Sequence, residues 1–476
     1  MADRAPRLAW DLVLDLSEVE DGPLYQRLAR ALRAAIRNGR LPGDTALPPS
    51  RILAAELGIS RATVTEAYGQ LTAEGYLTAR SGSATRVRPG LVWQAEAEPV
   101  ADPDPRPWRI DLGPGIADLN LFPRTAWAEA MRRAIGGLPA GELAAAYPAG
   151  HPRARRAVAG YLRRARDAYA DAAGTLLVPS ASAGMRALAE ALVRAGLTEI
   201  AVEDPSWGRL RDLCAAHGLT PRPVPVDADG LLVDRLTGLA GVRAVLITPA
   251  HQFPSGVALS PARRAALLAW CRDVDGLIIE DDYDAPFRYD RAQVASLQGM
   301  APDRVALLGS VSKTLSPALG LGWLVPPPDW IEPVATALDG IGPSTVDAVA
   351  FAELIESGRY DQQLRRLRLS YRKRRDRLVE RLAAELPELP VSGLSAGLHL
   401  VLGLPPATDV PDLVRRAAEA DLHLVDHDRY RAADRPPDPP ALVLGYGNLR
   451  DAQVVPAVRL LRELLANRPR RPTTAP

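Results

Sequence analysis

GSVSKTLSP, residues 309–317, places a lysine in a small, otherwise uncharged stretch. Lys313 and Lys373 are the only lysines among 58 basic residues, and the other 56 are Arg. Lys373 lies inside the run Arg372–Arg375, which reads as a solvated helix face. Lys313 has no charged neighbours, so its retention needs a chemical reason. A primary amine can lose its charge and condense with an aldehyde as a Schiff base, which a guanidinium cannot do.

The strand that leads to this lysine is one of a series. TLLVP (175–179), EIAVED (199–204), RAVLITP (243–249), GLIIEDD (276–282) and RVALLGS (304–310) are short runs rich in Val, Ile and Leu. Helical patterns such as MRALAEALVRAG, GRLRDLCAAHG and SPARRAALLAWCRDV lie between several of them. That alternation predicts a mostly parallel sheet covered by helices. In such sheets ligands bind at the carboxyl ends of the strands. There the polar groups collect: SASAG after the first strand, then DPSWG, HQFPSG, DDYD and SVSK. Ser182, Trp207, His251, Asp281, Tyr283, Ser310 and Lys313 are thereby expected on one edge.

This set suits pyridoxal phosphate (PLP). Lys313 supplies the amine, and Asp281 a carboxylate for the pyridinium nitrogen. Tyr283 offers a phenol to the ring's 3-oxygen, and Trp207 an indole to stack on the ring. The helix N-terminus at SASAG, with Ser182 and Ala183, and the hydroxyls of Ser310 and Ser312 suit the phosphate. The remaining histidines (151, 217, 399, 423 and 427) have no metal-ligand spacing, so no metal is expected.

Size and composition agree with a multidomain globular protein. The chain has 476 residues, 47% apolar and 24% charged. Cys214 and Cys271 alone give no disulfide framework. Met1–Trp10 carries Asp3 and two arginines and no apolar run, so no secretory leader is expected. No run reaches the roughly eighteen apolar residues of a membrane span. A cytoplasmic protein without membrane contact follows.

Charge is unevenly spread. The net charge is +1, yet Gly22–Arg88 holds ten Arg against four carboxylates. A basic module on a near-neutral body suits an anionic polymer. Residues 1–89 form this first domain. Residues 90–107, containing AEAEPVADPDPRP, are an acidic Pro-rich linker. Residues 108–467 form the second domain, and 468–476 a disordered tail.

Within the first domain, Leu24, Leu28, Leu32 and Ile36 form a helical stripe that stops at Gly39. A second helix is expected with Ser50 as N-cap and Gly58 as stop, and a third with Ser60 as N-cap and Gly75 as stop. Val64, Ala67, Tyr68 and Leu71 face inward. The short Gly58–Ile59 connection makes the last two helices cross steeply, as in a helix-turn-helix. YLTARSGSATRV then gives a β-wing around Arg80–Ser83. Ser60, Arg61, Thr63 and Thr65 open the third helix on its polar side, which suits major-groove reading of double-stranded DNA.

PLYQRLARALRAAIRNGRLPGDTALPPSRILAAELGISRATVTEAYGQLTAEGYL closely resembles the GntR-type winged helix-turn-helix. That resemblance makes Arg51, Arg61, Thr63 and the Ser81–Gly82 wing tip DNA contacts. EDPSWGRLR, TPAHQFPSGVALSPARRAALLAWC, IIEDDYDAPFRYD and LLGSVSKTLSP extend the resemblance to MocR-type regulators over about residues 23–465. The implied fold is an α+β winged helix-turn-helix joined to an α/β, PLP-dependent transferase-like domain of fold type I. The family implies a homodimer, with PLP as cofactor or effector.

The chain departs from the family at several positions. Gly320 stands where an Arg usually helps hold the phosphate, and Ala181 replaces the Gly of the phosphate turn. Ala145 stands at a phosphate-binding Tyr, for which Tyr147 is a substitute. Val443 occupies the place of the Arg that binds a substrate carboxylate. Each lost charge-assisted contact is worth roughly 1.5–3 kcal/mol. Ordinary transamination is therefore not expected. The favoured reading is a PLP-responsive transcriptional regulator, with Arg209 as contact for an anionic effector such as PLP or an amine or amino acid adduct. The alternatives are an active aminotransferase with a DNA-binding appendage, and a regulator that no longer binds PLP.

Overall fold

A computed structural model describes residues 22–79, 84–90, 108–289, 294–432 and 438–466. The chain divides into two compact units, Met1–Arg106 and Pro107–Pro476. The expected wing tip (Ser81, Gly82) and tail, and nearly all of the expected linker, lie outside the described residues.

In the first unit α1 (Leu24–Arg37), α2 (Ser50–Glu56) and α3 (Arg61–Ala73) precede the antiparallel strands β1 (Leu77–Thr78) and β2 (Arg86–Val87). Leu28, Leu32 and Ile36 are buried, whereas Leu24 sits on the first turn and is 37% exposed. With Leu53, Val64, Leu71 and Val87 they close one core. Each such side chain contributes about 1.5–3 kcal/mol of burial. Ser60 caps α3, its Oγ accepting from the Thr63 N–H at 3.1 Å. Ser50 does not cap α2: Pro49 holds the N-cap position, and Ser50 is already helical. Pro49 enters with a φ of −53° that its ring favours, which leaves no side-chain acceptor at the cap. Ser50 Oγ instead accepts from Arg61 Nε at 3.4 Å. Gly58 has φ +64° and makes the turn between α2 and α3.

The second unit carries an eight-stranded sheet. Its strands are β3 (Leu176–Val178), β4 (Glu199–Asp204), β5 (Thr220–Asp227), β6 (Gly230–Leu231), β7 (Ala244–Ile247), β8 (Leu277–Asp281), β9 (Val305–Ser310) and β10 (Gly322–Val325). The order is β3-β10-β9-β8-β7-β4-β5-β6. β9, β8, β7, β4 and β5 run parallel, while β10 is antiparallel to both β9 and β3. The five strands anticipated from the sequence, β3, β4, β7, β8 and β9, therefore all point the same way. Both faces are buried, which explains runs such as LIIED with every residue inaccessible. The helices Ala181–Arg194, Gly208–Ala216 and Pro261–Asp273 connect them.

A smaller antiparallel sheet comprises β11 (Val391–Ser392), β12 (His399–Gly403), β13 (Val425–Asp426) and β14 (Ala441–Gly445), ordered β11-β12-β14-β13. The helix Arg359–Glu385 packs with it in one core through Leu367, Tyr371, Leu378 and Leu382. Its run Arg372–Arg375 is only partly a solvated face. Lys373 is 72% exposed and pairs with Asp451 at 3.1 Å. Arg374 is buried, 2.5 Å from Asp118 Oδ2 and 2.6 Å from the Gly447 carbonyl oxygen.

Candidate functional site

β8 ends in Glu280 and Asp281, and Asp282 follows it; all three acids are buried. Alternation sends Asp281 to one face and its neighbours to the other. Asp282 accepts a two-pronged contact from the buried Arg166, with Nε to Oδ2 at 2.8 Å and Nη2 to Oδ1 at 3.0 Å. Asp281 has no such partner, and among the described residues its Oδ1 is buried without a hydrogen bond. Burial, with the nearby Asp282 and Asp284, pushes its carboxyl up to about 7.

Lys313 follows β9 and is half-buried. Burial lowers its pKa, opposed by Asp284 and Asp281, whose charges reach it. More of it is a neutral amine near pH 7 than for a surface lysine. Its Nζ donates to the carbonyl of Gly115.

Tyr283 and His251 meet beside this pair. His251 Nδ1 lies 2.8 Å from Asp284 Oδ2 and 3.1 Å from Tyr283 Oη. Burial and the Asp284 charge push the phenol well above its ordinary range, so it keeps its proton. The His251 ring stands 4.9 Å from that of His399, whose Nε2 contacts the Pro254 carbonyl at 3.1 Å. Burial and His251 hold the His399 imidazole well below its usual pKa, so it is neutral. Though the spacing of the histidines pointed to no metal, one ligating atom each of His251, Asp284 and His399 lie within 4.8 Å of one another.

The other expected residues are more dispersed. Ser180 caps the helix Ala181–Arg194, its Oγ accepting from the Ala183 N–H at 3.1 Å. Ser182 Oγ accepts from Arg209 Nε at 3.1 Å, which joins Arg209 to that first turn. Ser310 Oγ lies 3.1 Å from Ser312 Oγ. Trp207 is 43% exposed and lines a cleft of about 600 Å³ with Arg209, Arg211, Arg429 and Tyr430. The rings that approach Tyr283 among the described residues are His251 and Phe253, not Trp207. Gly320 lies in the left-handed region at φ +57°. Val443 is fully buried in β14, paired with Val401 and Val425.

Three participants were not anticipated. Asp284 was visible in DDYD but had no assigned work. His399 was read as an ordinary residue. Gly115 is 198 residues from Lys313, and nothing local in GPG marks its carbonyl as the partner.

On the DNA-binding side, Arg51, Ser60, Arg61 and Thr65 are exposed and Thr63 is half-buried. The side chain of Thr65 bonds back to the Arg61 carbonyl at 3.0 Å, and Thr63 Oγ1 lies 2.8 Å from Ser60 Oγ. Among the described residues no helix is long and apolar enough to cross a membrane.

Comparisons with known proteins agree with this construction. Residues 24–87 match the bacterial regulatory proteins of the gntR family, and residues 110–429 match aminotransferase class I and II. The pyridoxine biosynthesis transcriptional regulator PdxR of Corynebacterium glutamicum is 33% identical over 400 residues, covering 82% of this chain and 86% of that one. The protein described as the probable rhizopine catabolism regulatory protein MocR of Rhizobium meliloti is 32% identical, covering 82% and 83%. An archaeal alanine:glyoxylate aminotransferase shares the fold, with a TM-score of 0.68 at 22% identity over 75% of this chain and 90% of that one. With a gntR-type DNA-binding unit followed by an aminotransferase-like unit, the chain belongs to the MocR-type transcriptional regulators.

Proposed function

We propose that the chain is a cytoplasmic regulator that takes PLP at Lys313 and changes its affinity for a double-stranded DNA operator in response. The observation that carries this is the half-buried Lys313 amine within reach of the buried Asp281 charge, Asp281 Oδ1 having no partner among the described residues. An unpaired buried carboxylate oxygen is costly unless a donor arrives, and a pyridinium N–H is such a donor. When bound, PLP supplies an aldehyde and an electron-poor ring.

The chain's residues then divide the work. Lys313 presents a primary amine whose lowered pKa favours the nucleophilic form. Asp281 accepts the ring N–H and ionises more readily once paired. Tyr283 donates its retained O–H to the 3-oxygen, with His251 beside it and Asp284 orienting His251. Trp207 covers a ring face. The first-turn groups at Ser182 and Ala183, with Ser310 and Ser312, receive the phosphate. Arg209, already beside Ser182, offers a cation to an anionic effector. In the first unit Arg51, Ser60, Arg61, Thr63 and Thr65 contact DNA, with Ser81 and Gly82 at the wing. The chain acts as a homodimer, for which Ile135, Leu143 and Ile341 supply exposed apolar surface.

The relative named for pyridoxine biosynthesis supports PLP itself as the signal. Val443 argues against amino acid turnover: it offers no charge to a carboxylate and is sealed in a strand. A second reading, a regulator without PLP, draws on Gly320, which has no side chain to offer a phosphate. Absorbance of the purified protein titrated with PLP separates the readings. A new band in wild type that is absent in Lys313→Ala supports the proposal. The same spectrum from both proteins refutes it. Arg61→Ala should weaken operator binding roughly tenfold to a hundredfold, read by DNA titration at fixed salt.

A further inference from the structure

The Lys313 amine is tied to the first described segment of the second unit. Ile110–Asp111 pairs in parallel with Leu422–His423. The Leu112 N–H donates to the His423 carbonyl at 3.1 Å, and the Gly445 N–H to the Leu112 carbonyl at 2.7 Å. Trp108 stacks on His423 at 5.1 Å with 14° between planes. Asp111 Oδ1 takes both the Gly113 N–H and His423 Nδ1 at 2.8 Å. The strap fits too closely for side chains beneath it. A Cβ on Gly445 would stand 2.0 Å from the Gly113 carbonyl oxygen, and one on Gly447 would stand 2.3 Å from that of Ile116. Gly115 then turns at φ +73° and offers its carbonyl to Lys313 Nζ. The eight residues 108–115 thus lead from the end of the expected linker to the reactive amine.

We propose that this strap, Trp108–Ala117, reads the chemical state of Lys313. The free amine holds the strap through the Gly115 carbonyl, and condensation with an aldehyde releases it. The inference rests on the reading that Lys313 takes PLP. In the step, the neutral amine nitrogen adds to the aldehyde carbon and a carbon–nitrogen double bond forms. The aldehyde oxygen leaves as water with the two amine hydrogens. A nitrogen that carried two or three N–H groups then carries at most one. Gly115 loses its donor, and the segment leading to the DNA-binding unit becomes free to shift. This gives the two units a covalently continuous path by which occupancy of one biases the other.

The test uses the full chain with and without PLP, following hydrogen exchange of peptides spanning 108–118 and absorbance on the same samples. In wild type, the band from condensed Lys313 should accompany at least fivefold faster exchange at the Leu112 and Gly113 amides. Lys313→Ala should exchange fast in both conditions. Lys313→Arg, which keeps a donor but cannot condense, should stay slow in both. Trp108→Ala should load PLP with the wild-type spectrum yet lose a change in operator affinity that in wild type is about tenfold. A wild-type band with unchanged or slower exchange overturns the inference and leaves the proposed function standing. A Trp108→Ala protein with the full DNA response overturns the coupling. No band at all removes both readings.

Discussion

Asp281 and Asp282 are neighbours in sequence, equally buried, and treated in opposite ways. On one side of the sheet Asp282 is matched by the two-pronged guanidinium of Arg166, which also reaches the Val294 carbonyl at 2.6 Å. On the other, Asp281 keeps an oxygen without a hydrogen bond among the described residues and a carboxyl pushed up to about 7. The first arrangement is a finished piece of structure. The second is a buried charge site left incomplete by the protein's own groups, which is where ligand chemistry is to be sought. The same contrast separates the lysines: Lys373 pairs in solvent, and Lys313 is desolvated beside carboxylates.

The largest effect expected from breaking this contrast is on the finished side. Asp282→Ala strands the Arg166 charge and should cost about 3–5 kcal/mol in denaturant unfolding. The double variant Arg166→Met, Asp282→Leu should recover most of that loss, because no unpaired charge remains.

On the unfinished side the effect should be smaller and depend on pH. The folded Asp281 carboxyl holds its proton to about pH 7, whereas an unfolded Asp releases it near 3.9. Between those values the folded state binds more protons, so this residue's contribution to stability falls as pH rises, and the loss is complete above about 7. Asp281→Asn should therefore melt closest to wild type near pH 4 and on the order of a few degrees higher at pH 8, read by calorimetry without PLP. Saturating PLP should erase the advantage if a ring N–H pairs with Asp281.

The smallest effect belongs to the solvated lysine. Lys373→Ala removes an exposed pair with Asp451 and should change stability by no more than about 0.5 kcal/mol. A larger loss would mean that Asp451, which also lies 3.4 Å from Arg374 Nε, stabilises the buried Arg374 through that contact network.

Much of the architecture was legible because it rests on local periodicity. The three helices of the first unit follow from apolar spacing and Gly punctuation, and Ser60 caps α3 as its position predicts. Ser50 was misplaced by one residue, since a serine after Pro-Pro resembles a cap but Pro49 already occupies that position. The five strands were readable as short apolar runs, and their common direction followed from the helices between them. The small sheet was not read, and of the long helix Arg359–Glu385 only a solvated face was: it is so rich in Arg that its buried face of Tyr360, Leu364, Leu367 and Tyr371 is masked by charge. Arg374 looked solvated for the same reason, and its partner Asp118 is 256 residues away.

By itself the sequence determined the module order, the parallel sheet, and the residue types that an aldehyde-binding site requires, because these depend on spacing along the chain and on functional-group chemistry. Only the tertiary structure decided which of those groups are satisfied. Whether Asp281 or Asp282 keeps a free oxygen, whether His399 stands against His251, and which carbonyl holds the Lys313 amine are set by contacts between distant segments and by the loss of water around them. Those two factors, proximity across the fold and desolvation, turn an ordinary carboxylate and an ordinary amine into a candidate site.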